Sequence, residues 1–579
     1  MVQRFQDTMK TLVENSFSEK QITIKSDDKP YFKENLRRLK RQRQREYYKH
    51  GRSMKYLELK EKFDEKLKIE KLKYIQKVCV EVVEGSRGSI YPALKRLGFR
   101  PGQESESRFV LPVHADHNLS PSQSAEIIAN HFSQISQEYT PLKITNLPVT
   151  IQRYLDQDQD LVPVLSVRDV HCRISKAKKP NSLVSGDIPV KIVKQYADIL
   201  AYPVTNIINC ITQTAVYPPQ WKVEHQIAIP KVSPPSTEDE LRNISKTAFL
   251  SKIYESFLGE WLLEIVAPHL DPGQCGMKGA SITHYLIKLL HFVHSTLDLR
   301  QPHAFLAAFI DMSKAFNRVD HALLIGDLFD MHTPAWLLRI LISYLSNRSM
   351  YLTYDSAQSS QKLLHGGGPQ GAYLGGILFM LKYNGAFLRP PIQRNISWPI
   401  SQSVAEKVEF IDDVSIAVSI NLKNCLEYDP RDRANPLSYR ERTKQVLPAQ
   451  NNLLQAYVKD TENYAVENRM IINKKKTQVM IFNKSRKWDF PPEIHFSDGK
   501  QLNVITETKL VGVIISEDLT WHKNTAYICK KAREKLWILR RMLSLCLGDE
   551  QLFDVYCKEI RSLLEFAVPV WHPGITKNE

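Results

Sequence analysis

Val408-Glu409-Phe410-Ile411-Asp412-Asp413-Val414-Ser415-Ile416-Ala417-Val418 decides the fold: two apolar, β-branched runs meet at a pair of adjacent acids. That pattern predicts a β-hairpin with carboxylates at its tip. About a hundred residues earlier, Leu306-Ala307-Ala308-Phe309-Ile310 is a third apolar run, and it too ends on an acid, Asp311. If the three strands are neighbours in one sheet, Asp311, Asp412 and Asp413 converge at one edge. Clustered carboxylates repel, and one binds a proton unless a cation holds them together. Hard oxygen donors suit Mg²⁺, with Mn²⁺ as a substitute, and two such ions clamp the attacking and departing oxygens of a phosphoryl transfer. The bland alternative is a solvent-facing turn.

The chain has 579 residues, enough for several domains. With 43% hydrophobic and 25% charged residues it has the composition of a folded, soluble protein. A formal charge of +16 favours a polyanionic partner; the bland alternative is a basic but inert surface. The eight cysteines form no C-x-x-C pair, so they are expected to be reduced core residues of an intracellular protein. No apolar run approaches membrane-spanning length, and there is no signal-peptide core at the N-terminus.

Tyr31 to Lys77 is dense in charge, with apolar residues at helical spacing, and predicts one long helix or a helix pair. Its basic end, Lys40-Arg41-Gln42-Arg43-Gln44-Arg45, suits either nucleic-acid phosphates, with Tyr47 and Tyr48 available for stacking, or a solvated face. The Ser/Pro/Gln-rich stretch from Pro101 to Pro148 holds a short helix, Ala125 to Phe132. Gln226 to Lys231 is a strand ending in Lys, and Gln274 to Gly279 opens a helix that runs to His294. Lys231, Arg242 and Lys278 each suit triphosphate oxygens or open solvent.

From Asp311 onward the chain resembles the reverse transcriptases of non-LTR (LINE-type) retrotransposons. Asp311-Met312-Ser313-Lys314-Ala315-Phe316-Asn317-Arg318-Val319-Asp320-His321 resembles motif A, and Gly367 to Phe379, with Gly368-Pro369-Gln370-Gly371, motif B. Phe410-Ile411-Asp412-Asp413 resembles motif C, Asn473-Lys474-Lys475-Lys476-Thr477 motif D, and Leu510-Val511-Gly512-Val513 with Leu519-Thr520-Trp521 motif E. Ile229-Pro230-Lys231, Arg242-Asn243-Ile244-Ser245 and Gln274-Cys275-Gly276 resemble the preceding blocks.

The resemblance covers roughly residues 165 to 579 and implies an α+β right-hand polymerase. Its parts would be a basic helical connector (1–80), an N-terminal extension (81–160), fingers (161–300), a palm with an antiparallel sheet (301–530) and the start of a thumb (531–579). It implies that Asp311, Asp412 and Asp413 bind two metal ions and that Phe316 is a steric gate against a 2′-hydroxyl. Gln370 would lie in a turn at the template–nucleotide pair, while Lys476, Lys231 and Arg242 would serve the dNTP. The implied activity is RNA-templated DNA synthesis in target-primed retrotransposition. Its partners would be an RNA template, a DNA primer or target and dNTPs, with an endonuclease from a missing domain or another protein. Such a protein works in the nucleus during integration and in the cytoplasm when bound to its RNA.

Asn317, Asn243, Gly376, Ala372 and Val511 depart from the usual pattern, though none removes a metal acid. The rival from another class is a catalytically silent nucleic-acid-binding remnant. An RNA-dependent RNA polymerase shares the acid geometry, but Phe316 argues against it.

Overall fold

The computed structural model describes residues 1–16, 29–84, 111, 119–157, 161–177, 187–232, 234–276, 279–298, 303–384, 405–411, 413–421, 452–482, 494–543 and 548–575. Its strands run in chain order from β1 (Val223–Pro230), β2 (Leu241–Lys246) and β3 (His303–Ile310) to β4 (Arg348–Tyr354), β5 (Ala357–Gln358) and β6 (Lys362–Leu364). There follow β7 (Ala405–Phe410), β8 (Asp413–Asn421), β9 (Gln478–Phe482), β10 (Asn503–Ile505), β11 (Glu507–Leu510) and β12 (Val513–Ser516).

The sheet that carries the acids has the order β10-β9-β3-β8-β7. The pairs β3·β8, β3·β9 and β7·β8 are antiparallel, as expected, and β9·β10 is parallel. Its central strands read as unbroken apolar runs because both faces are covered. On one face, Leu306, Ala308, Ile310, Val414, Ile416 and Val418 join a core that includes Leu454 and Val458 of the helix Asn452–Glu467. On the other face, the helix Ile282–Leu297 sets Phe292 edge-on to Phe305 at 5.1 Å and hydrogen-bonds Tyr285 to Ser415 at 2.6 Å.

A second sheet, β2-β1-β4-β5 with β6 against β4, joins residues far apart in sequence through the parallel pair β1·β4. Against β4 packs the helix Pro121–Gln134, which contains the expected 125–132 segment. Ser120 and Gln123 form a capping box at its start, and Pro121 occupies the first turn, where its missing N–H costs nothing.

The chain divides into two compact units that cut across the sequence intervals. One contains Met1–Ser16, Phe109–Trp521 and Pro569–Gly574; the other contains Phe17–Arg108, His522–Val568 and Ile575–Glu579. In the first, the helix Val2–Ser16 buries Val2 in the main core instead of continuing the connector. In the second, the charged stretch is a helix pair, Glu34–His50 and Met54–Glu84. Gly51, at φ +60°, ends the first helix with its N–H on the Tyr47 carbonyl, and the Ser53 hydroxyl accepts from the Tyr56 N–H to start the second.

Of the five cysteines whose side chains are described, only Cys275 is buried and Cys172 is exposed, which corrects the expectation of core residues. No described helix is long and apolar enough to cross a membrane.

Candidate active site

Asp311 follows the last residue of β3, and Ile310 pairs with Val414 of β8. One residue beyond this last pair lie Asp311 on the first strand's side and Asp413 on the second's. Phe410 pairs with Asp413, so the hairpin turns in two residues and its tip sits at the Asp311 end of the sheet. Asp412 lies outside the described residues, as does Lys278. Among the described residues no group of three His, Cys, Asp or Glu side chains is arranged to hold a metal ion.

The tip is strained. Ile411 has φ +59°, a region that β-branched residues avoid at a cost of about 1–3 kcal/mol. Positive φ at the first turn residue suits the turns that two-residue hairpins favour, whose twist matches that of the flanking strands.

Residues 473–477 wrap around Asp311. Its N–H donates to the Thr477 hydroxyl (3.3 Å), and its carbonyl accepts the Asn473 N–H (2.8 Å). Lys476 Nζ lies 3.8 Å from its carboxylate. Burial pushes the Asp311 carboxyl above the usual carboxylate range, and Lys476 and the Asn473 side chain offset this only in part. A half-buried acid with an incomplete set of positive partners, at one sheet edge with further carboxylates, fits a hard divalent cation. Sequence reasoning gave a role to Lys476 alone in this block. The positioning parts of Asn473 and Thr477 were signalled only by their fixed spacing.

Further cations lie within electrostatic reach of Lys476. Burial holds the Lys231 ammonium below its usual range, and the charges of Arg242, Lys314 and Lys476 lower it further. Arg242 pairs with Ile229 across β1·β2 and is exposed. Lys231 donates to the Asp239 carbonyl (2.8 Å), and Lys314 pairs with the Asp239 carboxylate (2.7 Å). Lys314 was not singled out from sequence, although it lies within the motif A segment.

Motif B is pinned to motif A by backbone. Gly368 N–H donates to the Phe316 carbonyl and Gly367 N–H to that of Val319, each at 2.8 Å. His321, buried and held neutral with its pKa lowered by burial to about 4, contacts the Gly367 carbonyl through Nε2 (2.8 Å). The Gln370 carbonyl accepts the Ser245 N–H (2.8 Å). A Cβ on Gly371, where φ is +123°, would lie 2.6 Å from the Ser245 carbonyl oxygen, so glycine is required there. Phe316 is half-buried and stacks on Phe379 at 4.2 Å between ring centroids, so it is a packed ring whatever else it does.

In the other unit, the basic end of the first helix is partly spent on its own fold. Arg43 lies over Phe63 (4.6 Å) and Lys40 over Phe32 (5.7 Å), while Arg41 pairs with Glu34 (3.1 Å). Arg45 is exposed.

Asp311 and Asp413 thus stand at the ends of neighbouring strands, with Lys476 beside Asp311. Residues 229–515 match the family described as reverse transcriptase (RNA-dependent DNA polymerase). Relatives extend the match over most of the chain. It is 23% identical to the probable RNA-directed DNA polymerase from transposon X-element of Drosophila melanogaster, over 77% of this chain and 46% of that protein. It is 25% identical to the corresponding protein from transposon BS of the same species, over 64% and 37%, and 23% identical to that from mobile element jockey, over 74% and 44%. The chain thus spans less than half the length of each of these relatives.

Proposed function

We propose that this chain performs RNA-templated DNA synthesis, serving retrotransposition by target-primed reverse transcription. The observation that supports the proposal is the β3·β8 register, in which Ile310, next to Asp311, pairs with Val414, next to Asp413. Asp311, Asp412 and Asp413 would hold two divalent cations, Mg²⁺ or Mn²⁺, which supply charge neutralisation to the transferring phosphoryl group and acidify the primer 3′-hydroxyl.

The chain's own residues bind and orient. Asn473 and Thr477 fix the Asp311 backbone, so its carboxylate enters the site without a search over conformations. Lys231, Arg242 and Lys476 bind the anionic triphosphate, and Lys476 is placed to give a proton to the departing pyrophosphate. Phe316 crowds a 2′-hydroxyl and so selects deoxynucleotides. The Gly368–Gly371 turn, fastened to motif A and to β2, supports the template–nucleotide pair at Gln370.

The RNA template, the DNA primer and the dNTPs are the partners this chemistry needs. The nick that supplies the primer comes from an endonuclease elsewhere in a longer chain or on another protein. Work at a genomic target places the protein in the nucleus during integration, and in the cytoplasm while it holds its RNA.

Primer extension on a poly(rA)/oligo(dT) duplex tests this. Wild type should incorporate dTTP, and Asp412→Ala should lose incorporation while retaining the duplex. Binding without incorporation by wild type would establish the silent remnant instead.

A further inference from the structure

Gly273-Gln274-Cys275-Gly276 does not open a helix, contrary to its sequence pattern; the helix begins at Ile282, capped by Ser281. The segment instead runs beside β7. Glu409 N–H donates to the Gly273 carbonyl (3.0 Å), and Cys275 N–H donates to the Glu409 carbonyl (2.7 Å). Both glycines are needed for this approach. A Cβ on Gly273 would lie 2.6 Å from the Lys407 carbonyl oxygen, and one on Gly276 would lie 2.7 Å from Ile411 Cγ1.

The Gln274 side chain then reaches the tip itself. Its Oε1 accepts the N–H of Ile411 (3.0 Å) and that of Gly276 (2.8 Å), and its Nε2 donates to the Glu409 carboxylate (3.1 Å). The two backbone donors fix which end of the amide is oxygen. Gln274 is 4% exposed and Glu409 is fully buried, so these bonds form away from competing water. Lys407 anchors the outer side, 2.8 Å from Asp271 and 2.9 Å from Glu409.

We infer that Gln274 is a positioning residue that clamps the strained Ile411 backbone and so fixes the acid-bearing tip. The inference rests on the polymerase reading for its consequence, but its geometry stands without it. A β-branched residue at positive φ relaxes unless its surroundings hold it. Strand pairing stops at Phe410·Asp413, so the Ile411 N–H needs a partner from outside the ladder, and Gln274 supplies it.

The test uses the full chain with Gln274→Ala, Ile411→Gly and the double variant, read by residue-resolved amide exchange and by primer extension. Gln274→Ala should speed exchange at Ile411 about tenfold, the scale of one lost hydrogen bond, with β3 amides 306–310 unchanged. In the same protein kcat should fall about tenfold, while duplex affinity and dNTP KM stay within about twofold of wild type, since orientation of the acids and not binding is lost. Ile411→Gly in that background should restore most of the rate, because glycine adopts positive φ without strain. Unchanged exchange at Ile411, equal loss of protection in β3, or no recovery in the double variant would overturn the clamp. If Gln274→Ala does not fold, Gln274→Asn shortens the reach by one methylene and carries the same expectations. A wild type that extends no primer but shows the exchange effect would sink the polymerase reading and leave the clamp standing.

Discussion

Two side chains beside Asp311 make separable predictions. Lys476 offsets part of the upward push that burial gives the Asp311 carboxyl. The working form is the carboxylate, so activity falls as pH drops through that raised value. Lys476→Ala should therefore move the acid limb of the pH–rate profile to higher pH and lower kcat about 10²-fold, the scale of a lost general acid. An unmoved limb would remove Lys476 from the vicinity of the working acid. Phe316 is both packed and placed as a gate. Phe316→Val should cost about 1–2 kcal/mol through lost stacking on Phe379, read as a lower denaturation midpoint. It should also relax discrimination against ribonucleotides; a stability loss with unchanged selectivity would leave Phe316 a core ring only. The places of Asp311 and Asp413 at strand ends were legible in sequence because each borders an apolar run. The Gln274 contacts were not, since a side-chain bond to a distant backbone N–H leaves no local pattern.

Among the elements, the helix Tyr373–Asn384 offers a contrast between adjacent glycines. A Cβ on Gly375 would collide with the Pro369 backbone carbonyl, whereas one on Gly376 meets nothing. Gly376→Ala should stabilise by about 0.5–1 kcal/mol, from helix propensity and a less free unfolded chain. Gly375→Ala should destabilise and loosen the Gln370 turn. Equal effects in thermal unfolding would contradict this placement of motif B. The β7–β8 hairpin and β3 could be read from sequence because strands covered on both faces are continuously apolar and end at charge. The parallel pairing of β1 with β4 could not, because nothing in either strand names a partner more than a hundred residues away. Segment 274–276 was misread because Gln, Cys and Gly before an apolar run resemble a helix start, while the close approach to β7 that the glycines permit is a tertiary fact.

Over the whole molecule, the +16 charge favours a polyanion, but the helix pair shows that formal charge overstates what is available. Arg43 is engaged with Phe63, whereas Arg45 is exposed. If this helix contacts phosphates, Arg45→Ala should weaken duplex binding across all sequences and reduce the slope of log affinity against log salt by about 1. Arg43→Ala should mainly lower the thermal stability of the unit containing the pair. The reverse assignment would place the nucleic-acid contact elsewhere. The charge was legible from composition; its division between internal rings and solvent required the fold.

The central claim is that Asp311 and the β7–β8 tip work as one centre. Dividing dTTP incorporation by the amount of poly(rA)/oligo(dT) duplex bound in the same sample, for wild type and Asp311→Asn, tests it most directly. Wild type should show incorporation that depends on a divalent cation. Asp311→Asn should bind the duplex equally and incorporate at least about 10²-fold more slowly. Incorporation within a fewfold of wild type would contradict the account.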